Sequence, residues 1–188
     1  NRFNNIDFDK MLANGDITFI CTRRGDLGSS THQAFGLFFL ISMQNAVLRR
    51  PGNESSRVPN FLYIDEFPDF VCKATETMFT MYRKYRVGTI ISAQSLSQLA
   101  TSKSKENLKN TILANCSNKI FTGNGVIEEL QWWSSEFGVH REWTYSSDMD
   151  TDTMKYTSKM GGVKWKYVEY FTPGKLQGAL TDKKCAYK

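Results

Sequence analysis

Histidine, paired cysteine and long apolar runs are what this chain lacks, and each gap removes a class of function. There are only two histidines, His32 and His140. They are too few for a metal centre, and each reads as a surface or capping residue. The four cysteines, Cys21, Cys72, Cys116 and Cys185, stand far apart with no C-x-x-C. They spell neither a zinc site nor a disulfide framework, and read as reduced thiols of a cytosolic protein. The most apolar stretch, Ala34 to Leu48, is interrupted by Gly36, Ser42, Gln44 and Asn45. It is too short and too broken to span a bilayer, which puts any membrane anchor outside these residues. A phosphate cradle of the form G-x-x-x-x-G-K-S/T is missing too. The nearest string, Gly25 to Thr31, has no lysine and carries Asp26, which repels phosphate. The chain opens without Met on the polar NRFNNIDFDK, and reads as the C-terminal part of a larger protein.

What is present is ordinary globular usage. At 188 residues, with 40% hydrophobic and 23% charged side chains, the chain is long enough for a real core. The net charge of +5 is localised. Residues 151–188 hold eight lysines against Asp152, Glu169 and Asp182, so the first 150 residues balance. The lysines are interleaved with Tyr156, Trp165, Tyr167, Tyr170 and Phe171. Lysines beside aromatic rings suit a nucleic-acid surface, by phosphate neutralisation and base stacking. The same alternation, K-W-K-Y-V-E-Y-F, also describes a half-buried strand with its lysines toward water.

The most informative string is NFLYIDEFPD, Asn60 to Asp69. The apolar run Phe61 to Ile64 reads as a strand buried on both faces. It ends on two adjacent carboxylates, Asp65 and Glu66, at the carboxyl edge of the sheet, where open α/β folds bind ligands. That is the layout of a Walker B strand, whose first acid orders Mg²⁺ through its water shell and whose second polarises the attacking water. A strand with a solvated acidic turn is the plainer alternative.

Around it the chain alternates. Ile17 to Thr22 reads as a buried strand, and Thr31 to Arg50 as a long helix stopped by Pro51-Gly52, with Phe35, Phe38, Phe39, Ser42 and Ala46 on one face. A polar loop follows, then the acidic strand, a helix over Thr75 to Arg86 and a strand over Gly88 to Ala93. Next come a helix over Ser104 to Asn115, a strand over Lys119 to Thr122, and a helix over Ile127 to Phe137 ended by Gly138. Trp143 to Tyr156, rich in Ser, Thr and Asp, reads as a mobile loop between two edge strands. The alternation predicts a mostly parallel sheet flanked by helices. The expected division is a core over residues 1–140 and a basic, β-rich edge of the same domain over residues 141–188.

Four strings in order, FLYIDEFPDF, MYRKYRVG, TIISAQSLSQL and ILANCSNKIFTGN, resemble the motor domain of type IV coupling proteins of bacterial conjugation. These are membrane-anchored, hexameric ATPases of the FtsK-like translocase superfamily. The similarity runs from about Asp16 to Gly138. It implies a RecA-like P-loop NTPase lobe with a C-terminal β-rich edge, and ATP and Mg²⁺ as cofactors. By the same resemblance Asp65 is the Mg²⁺-ordering acid, Glu66 the catalytic base, and Gln94 the polar sensor of the γ-phosphate. Arg83 is the finger acting on a neighbouring subunit's nucleotide, with Arg86 as its rival. The implied partners are further copies in a ring, DNA or a relaxosome, and the proteins of a type IV secretion channel. The implied place is the cytoplasmic face of a bacterial inner membrane, reached through segments outside this chain. Without a cradle, this stretch alone is expected to be inactive. A channel-energising ATPase of the same superfamily and a non-catalytic docking domain are the alternative functions.

Overall fold

The apolar run of the acidic string does fold as a strand, β1 (Asn60–Ile64). It pairs in parallel with β2 (Val87–Ile91), in register from Asn60 opposite Val87 to Ile64 opposite Ile91. The structure, a computed structural model, describes residues 6–100, 103–145, 163–179 and 184–188. They form two units, Asn1–Ser117 and Asn118–Lys188; the change of texture expected at residue 140 falls inside the second.

In the first unit, α1 (Phe8–Asn14), α2 (Arg24–Leu27) and α3 (Ser29–Leu48) precede β1. Two 3-10 turns, Phe67–Phe70 and Lys73–Thr75, follow the acids, and α4 (Glu76–Met81) runs into a third, Tyr82–Tyr85. The single helix expected over Thr75 to Arg86 is therefore broken, and Arg86 ends it in the left-handed region at φ 59°. After β2 comes α5 (Lys103–Asn115). The core gathers Leu12, Leu40, Val47, Ile64, Phe67, Phe70, Met78, Tyr82, Leu108 and Ile112. Helix α3 buries His32, Gly36, Leu40, Ala46 and Val47, whereas Phe38, placed on the expected inner face, is 66% exposed. The helix is apolar nearly all round, so periodicity could not choose its inner side. Gly36 decides it, because a Cβ there would overlap the ring of Phe70.

Three expectations about the sheet are corrected. Ile17 to Thr22 forms no strand, and Phe19 is 92% exposed. A strand needs a neighbouring strand to bond its backbone, and this run pairs with no other backbone among the described residues. β1 is buried on one face only: Phe61 and Tyr63 are 66% and 72% exposed, while Leu62 and Ile64, which alternate with them, turn toward the core. The described strands make three two-stranded sheets, one parallel and two antiparallel, rather than one large parallel sheet.

Two arginines fasten the polar loop that leads into β1. Arg50 is buried and donates to the carbonyls of Leu12 (2.6 Å), Val58 (2.7 Å) and Tyr85 (2.9 Å). Burial, and secondarily the nearby Arg57 charge, lower its pKa from the usual guanidinium range. Arg57 donates to the carbonyls of Arg50, Pro51, Gly52 and Lys84, and lies over the Tyr85 ring at 4.9 Å. The entry to the acidic strand is thus held by backbone acceptors that carry no sequence signature.

The second unit contains β3 (Ile120–Phe121), α6 (Ile127–Phe137), β4 (Val139–Tyr145), β5 (Val163–Glu169), α7 (Pro173–Gly178) and β6 (Ala186–Tyr187). Pairing is antiparallel for β4 with β5 and for β3 with β6. Its core is aromatic: Trp133 packs on Phe121 and Phe137, and Phe137 on Phe171. Lys119 reaches Glu136 at 2.9 Å and Lys188 reaches it at 3.3 Å. The Lys119 ammonium, more than Lys188, holds the Glu136 carboxyl below its usual range. Of the loop expected over Trp143 to Tyr156, the first three residues belong to β4, drawn into the ladder by pairing with Val163 to Trp165; the rest, like Lys155 and Lys159, lies outside the described residues. Trp165 is no core residue; it stacks across the hairpin on Trp143 at 3.4 Å between ring centres, and each is about half exposed.

Candidate active site

The parallel register puts the residue after β1 opposite the residue after β2, and that juxtaposition builds the site. Ser92, one residue past β2, donates from Oγ to Asp65 Oδ1 at 2.5 Å. The amide of Glu66 donates to Asp65 Oδ1 (3.0 Å) and to Ser92 Oγ (3.1 Å). Backbone bonds clamp the same corner, from Ser92 N–H to the Ile64 carbonyl (3.1 Å) and from Phe67 N–H to the Ser92 carbonyl (3.0 Å). Glu66 sits in the left-handed region, at φ 49° and ψ 45°. A non-glycine residue there costs about 1–2 kcal/mol. The cost is met by the three-way contact and by Phe67, which is fully buried immediately after it.

Both acids are exposed at the carboxyl end of the strand pair. Asp65 Oδ1 is spoken for, while Oδ2 makes no hydrogen bond among the described residues. Gln94 lies two residues beyond Ser92 at the same end, exposed, its amide N–H donating to Gln98 Oε1 at 3.2 Å. Asp65, Glu66 and Gln94 are therefore brought to one edge, as the sequence suggested. Arg83 is not. It precedes β2, at the opposite end of a five-residue strand, which at 3.3 Å per residue is roughly 16 Å away. Its guanidinium is exposed and makes no ion pair among the described residues. Arg86, by contrast, donates to the carbonyls of Ser55 (3.2 Å) and Arg57 (3.0 Å) and is committed to the loop.

Sequence reasoning missed two participants. Ser92 was legible only through the parallel register. His32 was read as a surface or capping residue, yet it is 8% exposed. Its Nδ1 is 2.7 Å from the Thr22 carbonyl; a carbonyl only accepts, so Nδ1 carries the proton. Its Nε2 faces Asp69 Oδ2 at 3.6 Å, and Arg24 reaches the same oxygen at 3.4 Å. Asp69 thereby ties the start of α3 to the turn that carries the acids. The glycine string Gly25 to Thr31 is one turn of helix, a left-handed Gly28 and the first turn of α3. No group of three or more His, Cys, Asp or Glu side chains among the described residues forms a metal cage.

The family described as the TraM recognition site of TraD and TraG matches residues 59–169, from the acidic strand to the end of β5. The chain belongs to this family. Among solved structures, this TraG/TraD-type chain is similar to the bacterial plasmid coupling protein TrwB. Bound to a non-hydrolysable ATP analogue, TrwB superposes with a TM-score of 0.69 at 16% identity, over 97% of this chain and 42% of that one. Its trigonal form with sulphate gives 0.63 at 15% identity, over 82% and 33%. TrwB with ADP and Mg²⁺ gives 0.55 at 15% identity, over 74% and 29%. The chain thus spans less than half the length of the structures it matches, and at these identities the likeness concerns the fold. No curated protein matches it significantly. Nor is any helix among the described residues long and apolar enough to cross a membrane.

Proposed function

We propose that this chain is part of an ATP-driven conjugative coupling motor with a RecA-like lobe, which brings DNA or a protein–DNA substrate to a type IV secretion channel. The observation that carries the reading is the acidic turn itself. In a TraG/TraD-type chain, two adjacent carboxylates are held at the carboxyl end of a parallel strand pair, the first with one oxygen fixed and one free. That arrangement suits Mg²⁺, a hard cation that keeps most of its waters and needs few protein ligands. Asp65 would hold the ion through water, and the ion would offset the charge of the transferring phosphoryl group. Glu66, projecting from its left-handed backbone, accepts the proton of the attacking water. Gln94 has an amide that can donate and accept at once, which fits a group reporting on the γ-phosphate.

The β- and γ-phosphates then need a cradle from outside this chain, so the chain alone binds nucleotide at best in the millimolar range, of the order a few polar contacts supply. Calorimetry with MgATP that gave micromolar binding would put a complete site inside it. Arg83, unpaired and at the far end of the strand pair, suits a finger that reaches a neighbouring subunit's nucleotide in a ring. Membership of a family that carries a TraM recognition site makes a relaxosome component a fitting partner, and the motor works at the cytoplasmic face of the inner membrane. The deciding experiment is Glu66→Gln in the full-length protein. Nucleotide binding should persist while hydrolysis and plasmid transfer stop; wild-type hydrolysis by the variant would remove Glu66 from the role of base, and absence of hydrolysis by the unsubstituted protein would end the motor reading.

A further inference from the structure

The acidic turn is not self-supporting, and one hydroxyl on the neighbouring strand completes it. Ser92 Oγ has a single proton, and among the described residues the only acceptor it meets is Asp65 Oδ1, at 2.5 Å. Its lone pairs face the Glu66 amide at 3.1 Å, so that hydrogen-bond direction is fixed at both ends. The Glu66 amide also donates to Asp65 Oδ1 at 3.0 Å, closing a ring of three groups from two strands. Two consequences follow from the geometry. The Asp65 carboxylate loses its freedom to rotate, and Oδ2 is left without a hydrogen bond among the described residues. The amide that would otherwise pull Glu66 out of its left-handed conformation is anchored from β2.

We propose that Ser92 is the positioning residue of the site: through one hydroxyl it orients the metal-facing oxygen of Asp65 and holds the backbone from which Glu66 projects. This rests on the ATPase reading of the acidic turn. Ser92 does not touch substrate. It acts through the two acids, so its loss changes how strongly the metal is held rather than whether nucleotide binds. An outer partner that orients a metal-facing carboxylate is typically worth about 10- to 100-fold in metal affinity or activity. Gln94 follows Ser92 by two residues on the same chain, so the hydroxyl that holds Asp65 and the Gln94 amide leave the same end of β2.

The test uses the full-length protein with Ser92→Ala and Ser92→Thr. Metal is read in two ways: the Mg²⁺ concentration for half-maximal hydrolysis, and Mn²⁺ binding to the ADP complex by electron paramagnetic resonance, which needs no turnover. Hydrogen exchange across residues 64–67 reports the turn directly. In Ser92→Ala, exchange at the Glu66 amide should speed up and Mn²⁺ affinity should fall about 10-fold or more, with metal-free nucleotide binding unchanged. Ser92→Thr, which keeps the hydroxyl, should restore both to within about threefold of wild type, well short of that loss. Unchanged exchange and unchanged metal affinity in Ser92→Ala would overturn the proposal. So would a loss that Ser92→Thr shares in full, because the hydroxyl would then be irrelevant. Failure of the underlying reading looks different, since the unsubstituted protein would neither hydrolyse ATP nor bind Mn²⁺–ADP.

Discussion

Glu66 carries two loads, a side chain aimed at solvent and a backbone held at φ 49°, and replacing it in two ways separates them. Glu66→Gln keeps the β-carbon, the left-handed strain and the size of the side chain, and removes only the proton acceptor. Glu66→Gly removes the acceptor and the strain together. A left-handed non-glycine residue costs about 1–2 kcal/mol, part of which is returned as extra freedom of glycine in the unfolded chain. The net gain for Glu66→Gly is therefore about 1 kcal/mol, or roughly 2–4 °C in melting temperature for a domain of this size. Glu66→Gln should melt within a degree or so of wild type, since exposed substitutions of this kind change little. Loss of a positioned base costs about 10²- to 10⁴-fold in rate, so both variants should be nearly inactive while still binding MgATP. Thermal unfolding and steady-state hydrolysis of the full-length protein measure the two effects side by side. The reasoning fails if Glu66→Gly is less stable than Glu66→Gln, or if either variant turns over at the wild-type rate.

Arg83→Ala should spare nucleotide binding yet depress hydrolysis by about 10³-fold or more, and mixing it with Glu66→Gln subunits should restore part of the activity; a binding defect without rescue would make Arg83 structural. The Tyr82 hydroxyl is buried with no hydrogen-bond partner among the described residues, and burial pushes its pKa well above the usual phenol range. Tyr82→Phe should therefore be neutral or stabilise by about 1 kcal/mol in denaturant unfolding, and a loss of that size would reveal a hidden partner for the hydroxyl. Glu136 is depressed below its usual range in the folded state by Lys119 and Lys188, so its stabilisation is complete above the unfolded carboxyl pKa and fades as pH falls through the lower folded value. The acid limb of a stability-against-pH curve should flatten in Glu136→Gln, and an unaltered limb would refute the linkage.

The acids were legible because their chemistry is local. An apolar run that stops on two carboxylates, followed later by a second run, places Asp65, Glu66 and Gln94 without knowledge of anything else. The element sequence was legible for the same reason: α3, β1, β2, α5 and α6 all fall within a few residues of where periodicity and stop signals put them. The features that make the corner work are not local. Ser92 meets Asp65 because of register, and no property of the string TIISAQ distinguishes that serine from a solvent-facing one. His32 follows a run of small polar residues that looks like a helix cap, and is buried only because Asp69 and Phe70 return beside it. The strand expected at Ile17 to Thr22 had the right composition, but a strand is a relation between two segments. Composition can supply only one of them.

The placement of Arg83 follows from the same geometry and gives the proposed motor its logic. β2 is five residues long, with Arg83 in the 3-10 turn that precedes it and Ser92 and Gln94 after its last residue. Parallel pairing with β1 makes the acidic turn and the arginine opposite ends of one short, rigid unit. Within a single chain those ends lie too far apart to serve one phosphate. In a ring they need not, because the arginine end of one subunit can face the acidic end of the next.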